Sequence, residues 1–338
     1  RDRRAVESRA TGVVIDSFNK PDRGTSDNWV ALYGSHNRFD HNHLTGKTNL
    51  GTTLVVVRDE QQGLDNRHRI DHNYFGPRPN LGSNGGETIR VGSSADSLSA
   101  SNTVVENNWF EGCDGEVEIV SNKSGGNTYR GNVFFQSRGA LVLRHGAGNL
   151  VESNVFIGGN KPHTGGIRII NGNQTVRNNY MEGLAGDGFG SAFSIMYGVP
   201  DSPINRYHQV DNAVIENNTI IGARSIFLGA GMDEERSAAP INSRFANNLI
   251  VAADGRRDPV RVLGDLSGIA FAGNIQSPAV SDSLTRGFEG RAVTLTRGPG
   301  GLLVPNGLDG VGAARDLRTV ARGGTGVDWY PKHGQQPR

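Results

Sequence analysis

Two carboxylates and an upstream amide could form an all-oxygen cation site in this sequence. Glu116 and Glu118 are two residues apart, and Asn84 lies in the upstream run Asn-Gly-Gly-Glu. In a strand, side chains two residues apart project from the same face. Oxygen ligands of this kind suit a hard cation such as Ca²⁺, and water or a substrate carboxylate can complete the shell. The spacing is therefore compatible with a site for a hard cation.

A lysine and an arginine–histidine pair follow these carboxylates. Lys123 lies in the turn SNKSGG, and Arg144 and His145 end the later segment ALVLRH. A nearby cation and the charge of Arg144 would favour the neutral amine of Lys123, which can act as a base. Arg144 can stabilise negative charge on a leaving oxygen. His145 could donate a proton or bind a sugar.

Simpler interpretations of the same residues remain open. Glu116 and Glu118 could pair with flanking arginines on a solvated face, and Lys123 could be an ordinary surface charge in a turn. Zinc is disfavoured because there is no cysteine pair and the histidines are scattered. His41 and His43 flank a repeated asparagine, which indicates a turn.

Composition excludes several function classes. The chain has 338 residues, of which 20% are charged, and a formal net charge of +1, so nothing global attracts nucleic acid. The single cysteine, Cys113, permits no internal disulfide and predicts a small buried side chain. No run of 18 apolar residues is present to span a membrane. No signal peptide is recognisable, and the first methionine is Met181, so we expect a processed product or a fragment.

An asparagine recurs along the chain in short segments such as IDHNYF, VENNWF, VRNNYM and IENNTI. The spacing varies from 22 to 39 residues, which favours a coil whose loops differ in length over a rigid helical repeat. The predicted role of these asparagines is structural, with side-chain amides stacked from one rung to the next. They are Asn42, Asn73, Asn108, Asn132, Asn154, Asn179, Asn218, Asn248 and Asn274.

A second strand follows each asparagine segment up to position 264. These segments alternate with a period of two between glycine-rich or polar turns, and no long helical period competes. A shortest repeat of 22 residues suits one rung of an all-β, single-stranded parallel β-helix. The predicted strands are Thr53–Val57, Glu87–Gly92, Gly115–Val120, Ala140–Arg144, Gly166–Ile170, Ser191–Met196, Ser225–Gly229 and Pro259–Gly264.

Alternation within these strands predicts which side chains face the core. Ile89, Val91, Val117, Ile119, Leu141, Leu143, Ile167 and Ile169 are expected to face inward. Arg90, Glu118, Arg144 and Arg168 are then expected to lie on one outer face of four neighbouring rungs, together with Glu116. With rungs about 4.8 Å apart, these residues span about 15 Å, a groove for a few sugar rings.

The chain is expected to form one domain. Residues 1–285 form the β-helix, and residues 286–338, which lack the asparagine repeat, form a last irregular rung and capping tail. Residues 1–10 are too few and too charged to cap a solenoid, so an N-terminal cap and the first rungs are expected to be missing.

At these residues the chain resembles polysaccharide lyase family 6. The resemblance extends over about residues 10–280 and is carried by NGGETIRVGSS, FEGCDGEVEIVSNKSGGNTYRGN, LVLRHG, TGGIRIING and GVPDSPINRYHQV. That family comprises alginate lyases and chondroitinase B-like dermatan sulfate lyases on a right-handed parallel β-helix. Family members have more chain before the position that matches Arg1.

The resemblance implies β-elimination at a uronic acid and a role for each matched residue. Asn84, Glu116 and Glu118 would bind Ca²⁺, which neutralises the uronate carboxylate. Lys123 would remove the C5 proton, and Arg144 would assist departure of the 4-linked oxygen, which leaves 4,5-unsaturated uronate ends. Arg90, His145 and Arg168 fall where the family binds substrate.

The resemblance also implies a biological setting. The expected partner is an acidic polysaccharide, most closely alginate, and the expected location is secreted or periplasmic. The protein would be a monomer or homodimer, with no nucleic-acid or membrane partner. Further substrate-binding candidates on the same face are Tyr197, Arg206, Tyr207, Glu235 and Arg236, of which an exposed aromatic could stack on a sugar ring.

Two rival functions remain at this stage. One is a glycosaminoglycan lyase acting on dermatan sulfate or chondroitin. The other is a non-catalytic β-helix that binds acidic polysaccharide without forming new double bonds. Preference for mannuronate or guluronate, and endo or exo action, depend on loops at the groove ends and are not predicted.

Overall fold

The structure, a computed structural model, describes residues 8–82, 84–253, 258–280, 284 and 286–336. Within these residues the chain is a right-handed parallel β-helix whose rungs stack to form three parallel sheets. No helix of the described part is long and apolar enough to cross a membrane. Of the charged N-terminal segment 1–10, on which the prediction of a missing cap rests, residues 1–7 lie outside the described residues.

The three sheets are named A, B and C in the order in which the chain enters them. The strands of sheet A are Arg9–Thr11, Arg38–Asp40, Arg69–Asp71, Val104–Glu106, Thr128–Arg130, Leu150–Glu152, Thr175–Arg177, Val214–Glu216, Ser243–Ala246 and Ile269–Ala272. Those of sheet B are Val14–Asp16, His43–Thr45, Tyr74–Phe75, Trp109–Glu111, Val133–Phe135, Val155–Ile157, Tyr180–Glu182, Thr219–Ile221, Leu249–Val251, Asn274–Ser277 and Phe288–Gly290.

Sheet C contains the strands predicted to follow the asparagine segments. Its strands are Val30–Leu32, Leu54–Val56, Ile89–Gly92, Glu118–Lys123, Gly139–His145, Thr164–Ile169, Phe193–Met196, Ile226–Ala230 and Val260–Val262. Each of the eight predicted strands is confirmed within three residues at either end. An antiparallel pair, Leu295–Arg297 and Leu303–Pro305, and two short 3₁₀ turns, Gly188–Gly190 and Arg322–Gly324, complete the regular elements.

The core lies between the three sheets and is built from columns of like side chains. Ile89 pairs in register with Val120, Val120 with Leu141, and Leu141 with Ile167, and all four are buried. From sheet B, the rings of Phe75, Phe110, Phe134 and Phe156 stack at centroid distances of 4.9, 4.6 and 4.5 Å. Parallel in-register pairing places identical residue types one rung apart, which makes such stacks possible.

The repeated asparagines form a buried ladder at the turn between sheets A and B, as predicted. Asn132, for example, donates from Nδ2 to Asn154 Oδ1 at 2.9 Å and accepts at Oδ1 from Asn108 Nδ2 at 3.0 Å. The residue before each ladder asparagine has a positive φ, which is 53° at Asn107 and 63° at Gly131. Asparagine and glycine tolerate this conformation best, so the two-residue turn can repeat on every rung.

Sheet C departs from the predicted alternation at its acidic rung. The strand begins at Glu118, so residues 115–117 are outside it. A bulge between Glu118 and Val120 places both Ile119 and Val120 in the core. Val117 is only partly buried and belongs to the groove wall, whereas Glu116 is buried. The prediction that Val117 faces inward was therefore wrong, and Glu116, predicted to face outward, is buried beside Glu87 and Glu118.

The charged residues predicted to share one outer face of sheet C do not form a single in-register column. Arg90 pairs with Ser121, which pairs with Val142, which pairs with Arg168. Glu118 instead pairs with Ala140, two residues nearer the start of the strands, and Arg144 lies nearer their end. These charges share the outer face of sheet C, but they are distributed along the strands as well as across the rungs.

The segment after residue 290 runs back along the outer face of sheet B, where it covers several rungs. Leu303 N donates to Tyr180 Oη at 3.0 Å, Ala313 N to Thr219 Oγ1 at 2.8 Å, and His333 N to Tyr74 Oη at 3.1 Å. Leu302, Leu308, Ala313 and Leu317 pack on this sheet. The segment predicted to be a last rung and cap is a strap that reaches the early rungs.

Candidate active site

A groove with a volume of about 430 Å³ lies on the outer face of sheet C. Five of its lining residues, including Tyr207, were predicted from the sequence, and several others were not. The lining residues that matter below are Asn84, Glu118, Arg138, Arg144, Arg168, Phe189 and Tyr207.

Two glycines bring the Asn84 loop against the acidic rung. A Cβ atom on Gly86 would come within 2.4 Å of Gly115 O, and one on Gly115 within 2.1 Å of Gly86 O. Because real Cβ atoms do not approach backbone so closely, only glycine permits this contact. The contact places the 84–87 loop next to the rung that carries Glu116 and Glu118.

A corner of the groove concentrates negative charge. Glu87 and Glu116 are both buried, at 2% and 3% exposure. Burial, followed by the charges of Glu87 and Glu118, raises the pKa of Glu116 to about 9. Glu118 accepts a hydrogen bond from Ser121 Oγ at 2.5 Å and faces Arg168 Nη1 at 3.6 Å. Glu118 thus has a cationic neighbour, and so does Glu87, whose Oε1 lies 3.9 Å from Arg90 Nη1.

The donor set of this corner fits a hard cation. Glu87 Oε2 is buried without a hydrogen-bond partner among the described residues, which is costly for a carboxylate. Asn84, Glu116 and Glu118 supply only oxygen ligands. Across the described ranges no three His, Cys, Asp or Glu side chains converge as a metal cluster. The predicted set differs from such a cluster because its third ligand is an amide.

Lys123 and His145 are neighbours at the C-terminal ends of their two strands in sheet C. They are paired in register, and no hydrogen bond or ion pair engages the half-buried Lys123 amine within the described residues. His145 is buried, and its Nε2 lies 3.2 Å from Ser94 Oγ. Burial, followed by the charges of Arg144 and Lys123, lowers the pKa of His145 to about 3. A neutral imidazole is a poor proton donor at neutral pH, so this environment favours sugar binding over acid catalysis.

Arg144 is positioned by an insertion loop that follows sheet C. Its guanidinium lies 4.1 Å from the ring centroid of Tyr207 and donates to Arg206 O at 3.4 Å. Tyr207 in turn packs on an apolar patch formed by Val142, Met196 and neighbouring residues. The ring predicted to stack on a sugar therefore supports Arg144.

An alternation of arginines and aromatic rings extends this arrangement. The Arg236 guanidinium carbon lies 5.6 Å from the centroids of both Phe189 and Tyr207, and that of Arg168 lies 5.5 Å from Phe189. Arg168 also donates from Nε to Phe189 O at 2.8 Å. Cation–π contacts of this type orient guanidinium groups without neutralising them. Of these guanidinium groups, those of Arg144 and Arg168 line the groove, whereas Arg236 is paired with Asp233.

Three arginines near the groove have a shielded nitrogen without a partner. These atoms are Arg90 Nε, Arg138 Nε and Arg168 Nη2, and the statement concerns the described residues. Arg90 approaches Glu87 Oε1 only at 3.9 Å. Because buried donors are normally satisfied, these guanidinium groups are suited to an anionic ligand.

Of the remaining substrate-binding candidates, Tyr197 is buried, whereas Arg206, Glu235 and Arg236 form contacts between or within loops. Tyr197 is 3% exposed, and its hydroxyl donates to Asp265 O at 3.0 Å, so its ring is not available to stack on a sugar. Arg206 and Glu235 form a bidentate pair that links two loops, with Nε to Oε1 at 2.8 Å. Arg236 donates from Nε to Gly231 O at 2.6 Å. The sequence prediction missed Glu87, Arg138 and Phe189, although Glu87 lies in the same short run as Asn84.

Comparison with known proteins gives consistent similarities. The sequence model of the chondroitinase B family matches residues 2–308. No curated protein matches the chain. Among solved structures, AlyGC, described as a polysaccharide lyase family 6 alginate lyase, is 54% identical with a TM-score of 0.94 and matches 97% of this chain. The chain spans only 45% of the length of AlyGC.

Two other solved structures extend the comparison. A mannuronic acid-specific polysaccharide lyase of family 6 from human gut microbiota is 37% identical, with a TM-score of 0.77; the match covers 85% of this chain and 67% of that one. A further family 6 alginate lyase, solved in complex with a trisaccharide, is 25% identical with a TM-score of 0.78 over 97% of this chain and 76% of that one.

Proposed function

The chain belongs to the chondroitinase B family and to polysaccharide lyase family 6, and on that premise we propose that it cleaves a 4-linked uronic-acid polysaccharide, alginate, by β-elimination. The observation that carries this proposal is the single groove lined by Asn84, Glu118, Arg144 and Arg168. Its amide and carboxylate oxygens can bind a metal cation, and its arginines can bind carboxylates, so the groove suits a polyuronate. Alginate is preferred because the similar solved enzymes are described as alginate lyases.

In the proposed mechanism, Lys123 takes the C5 proton of a uronate bound in the groove. Its amine has no hydrogen-bond partner among the described residues, so it is free to accept that proton. Arg144 donates a hydrogen bond to the 4-linked oxygen as the bond to that oxygen breaks, and its stacking on Tyr207 fixes its direction. His145 stays neutral and contributes a hydrogen bond to the sugar. The electron pair of the C5–H bond forms a new C4=C5 double bond as the C4–O bond breaks, and the departing oxygen is protonated from solvent, which leaves a 4,5-unsaturated uronate end.

Asn84, Glu116 and Glu118 are the residues that would bind calcium. When bound, calcium would withdraw charge from the uronate carboxylate and make the C5 proton more acidic. Glu87, buried beside Glu116, adds negative charge to the same corner. Arg90 and Arg168 would contact the substrate carboxylates from either side.

A glycosaminoglycan lyase is a second candidate, since the matching family model carries the chondroitinase name. Dermatan sulfate has 4-linked uronates but also sulfates. The two candidates predict different substrates for the same elimination. Incubation with alginate and with dermatan sulfate, followed by the ultraviolet absorbance of the unsaturated uronate, separates them, and absorbance only with dermatan sulfate would reverse our preference.

The assignment of the base is tested by substitution. We expect Lys123→Ala to lower kcat on alginate at least about a thousandfold, consistent with loss of general base catalysis. The thermal transition should change little, because the amine has no hydrogen bond or ion pair with any described residue. The matched control is Lys20→Ala, which removes an exposed lysine from a loop near the start of the described chain. Turnover by Lys123→Ala at the rate of the unaltered protein would exclude this mechanism.

The calcium role is tested by metal removal. A chelator should abolish turnover, and added Ca²⁺ should restore it; Glu116→Gln should raise the Ca²⁺ concentration needed for half-maximal activity about tenfold or more, because it removes one charged ligand. Full activity after exhaustive chelation would refute the metal site while leaving the lysine assignment intact.

A further inference from the structure

Arg138 lies at the opposite end of the same groove from Arg144. It directly precedes the strand Gly139–His145, whereas Arg144 is the next-to-last residue of that strand. At about 3.3 Å per residue, the two backbones are about 20 Å apart. Both side chains line the groove. The groove therefore runs along the strand direction with an arginine at each end.

The backbone at Arg138 is in direct contact with the acidic rung. Gly139 has a φ of 95°, and a Cβ atom there would come within 2.7 Å of Glu116 O. Substitution at this position would be strained, so the close approach depends on glycine. Arg138 consequently projects from the point where its own rung touches the rung with the proposed calcium ligands.

The acidic residue nearest to the Arg138 backbone is already neutralised by another cation. Asp114 Oδ1 accepts a hydrogen bond from Arg138 N at 2.8 Å, but Lys161 Nζ contacts both oxygens of Asp114 at 2.9 and 2.6 Å. The Arg138 side chain has no hydrogen bond or ion pair in the described part of the chain, and its Nε is shielded from solvent. A shielded guanidinium nitrogen without an acceptor is unfavourable unless a ligand supplies one.

We infer that Arg138 binds the carboxylate of a second uronate residue, one displaced along the groove from the residue whose bond is cleaved. A guanidinium group matches a carboxylate in a bidentate geometry. The separation of the two backbones, about 20 Å, favours a carboxylate on a different sugar. Arg138 is thus a specificity-determining residue for an acidic chain longer than the reacting unit, and this inference rests on the proposed function.

The test compares variants on substrates of increasing length. Arg138→Ala should raise KM for polymeric alginate about tenfold, the loss expected for one charge-assisted contact, with a much smaller change in kcat. The increase should vanish for the shortest cleavable oligosaccharides, which do not reach Arg138. Arg138→Lys should recover part of the loss. Arg177→Ala, which removes an exposed arginine paired with Glu152 on sheet A, is the matched control and should not alter KM.

A binding experiment separates failure of this inference from failure of the proposed function. Calorimetry with an alginate hexasaccharide would compare Lys123→Ala with the Lys123→Ala/Arg138→Ala double variant, and a carboxyl-reduced hexasaccharide would serve as the neutral probe. Weaker binding of only the acidic probe supports the inference even if no lyase activity is found. Equal KM at every length, or equal affinity of the two variants for the acidic probe, would overturn it.

Discussion

The contact between Arg144 and Tyr207 sets the direction of the guanidinium group. The 4.1 Å separation is short for a cation–π pair, and the ring is fixed from below by the apolar patch on sheet C. The backbone hydrogen bonds to Arg144, at 3.4 and 3.5 Å, are long and contribute little orientation by themselves. Tyr207 is therefore a positioning residue.

Tyr207→Leu should reduce kcat on alginate about fivefold, because it removes a contact worth roughly 1 kcal/mol and frees the Arg144 side chain. Tyr207→Phe keeps the ring and should retain most activity. Steady-state turnover of the two variants distinguishes a ring contact from a hydroxyl contact. An active Leu variant beside an inactive Phe variant would contradict the positioning role.

Buried histidines give the protein a defined response to acid. His68 is 1% exposed, its Nδ1 accepts from Asn37 N at 3.1 Å, and its Nε2 has no partner in the described ranges. Burial, followed by the charge of His36, lowers the pKa of His68 from 6.5 to about 4. Between these values the unfolded chain binds a proton that the folded chain does not, so this part of the stability is present above pH 6.5 and is lost as pH falls towards 4.

His68→Asn preserves an acceptor near the position of Nδ1 but cannot titrate. We expect the free energy of unfolding, measured with urea at pH 7 and pH 5, to fall less for the variant than for the unaltered protein. The difference should be about 1–2 kcal/mol. Identical pH dependence of the two proteins would show that His68 is not the titrating group.

Individual residues show how much of the site could be predicted from the sequence. The central motif was sufficient to name Asn84, Glu118, Arg144 and Arg168, which line one groove. The orientation of Glu116 was not predictable, because a period of two holds only within a continuous strand and this strand starts at Glu118. The role of Tyr207 depends on a contact between loops, which has no local sequence signal.

At the level of elements, the asparagine ladder joins sheets A and B. Each amide bonds the rungs before and after it, so one substitution affects three rungs. Asn132 accepts from Asn108 N at 3.0 Å and also donates to Val105 O at 2.9 Å. This ladder was predictable because it requires the same residue at the same turn on every rung, and the loops between do not disturb that pattern.

Asn132→Ala should lower the free energy of unfolding by about 2–4 kcal/mol, because it leaves the buried backbone N–H of Asn108 without its acceptor and removes the amide bonds to Asn108 and Asn154. The control is Asn107→Gly on the adjacent rung, where φ is positive and where the next rung already has Gly131. Chemical denaturation of both variants gives the comparison. A large loss in the control and none in Asn132→Ala would mean that turn conformation outweighs the ladder.

For the whole molecule, the strap across sheet B is the feature that sequence patterns did not reveal. It lacks the asparagine repeat and regular alternation, and its contacts are with residues far away in the chain. Arg322 forms hydrogen bonds with both oxygens of Glu111, at 2.6 and 2.9 Å, and Glu111 is buried beneath it. Tyr330 donates to Asp16 at the second strand of the molecule.

Arg322→Ala should lower stability by about 2–3 kcal/mol, because it leaves the buried carboxylate of Glu111 with only the Tyr74 hydroxyl as donor. It should also accelerate cleavage of residues 318–336 by a protease. Arg318→Ala, an exposed arginine in the same segment, is the control. Limited proteolysis with mass spectrometry reads out both variants, and equal cleavage rates would argue against the Arg322 contact as the main attachment.

The strap also changes how the solenoid can come apart. In a linear array each repeat contacts only its neighbours, so rungs can detach one after another from either end. Here the same 45 or so residues contact rungs from the first strand of sheet B to the eighth. Loss of an early rung therefore also removes part of the surface on which the strap rests. The strap therefore couples the stability of distant rungs. We expect one cooperative denaturation transition, whereas an array without the strap would show several.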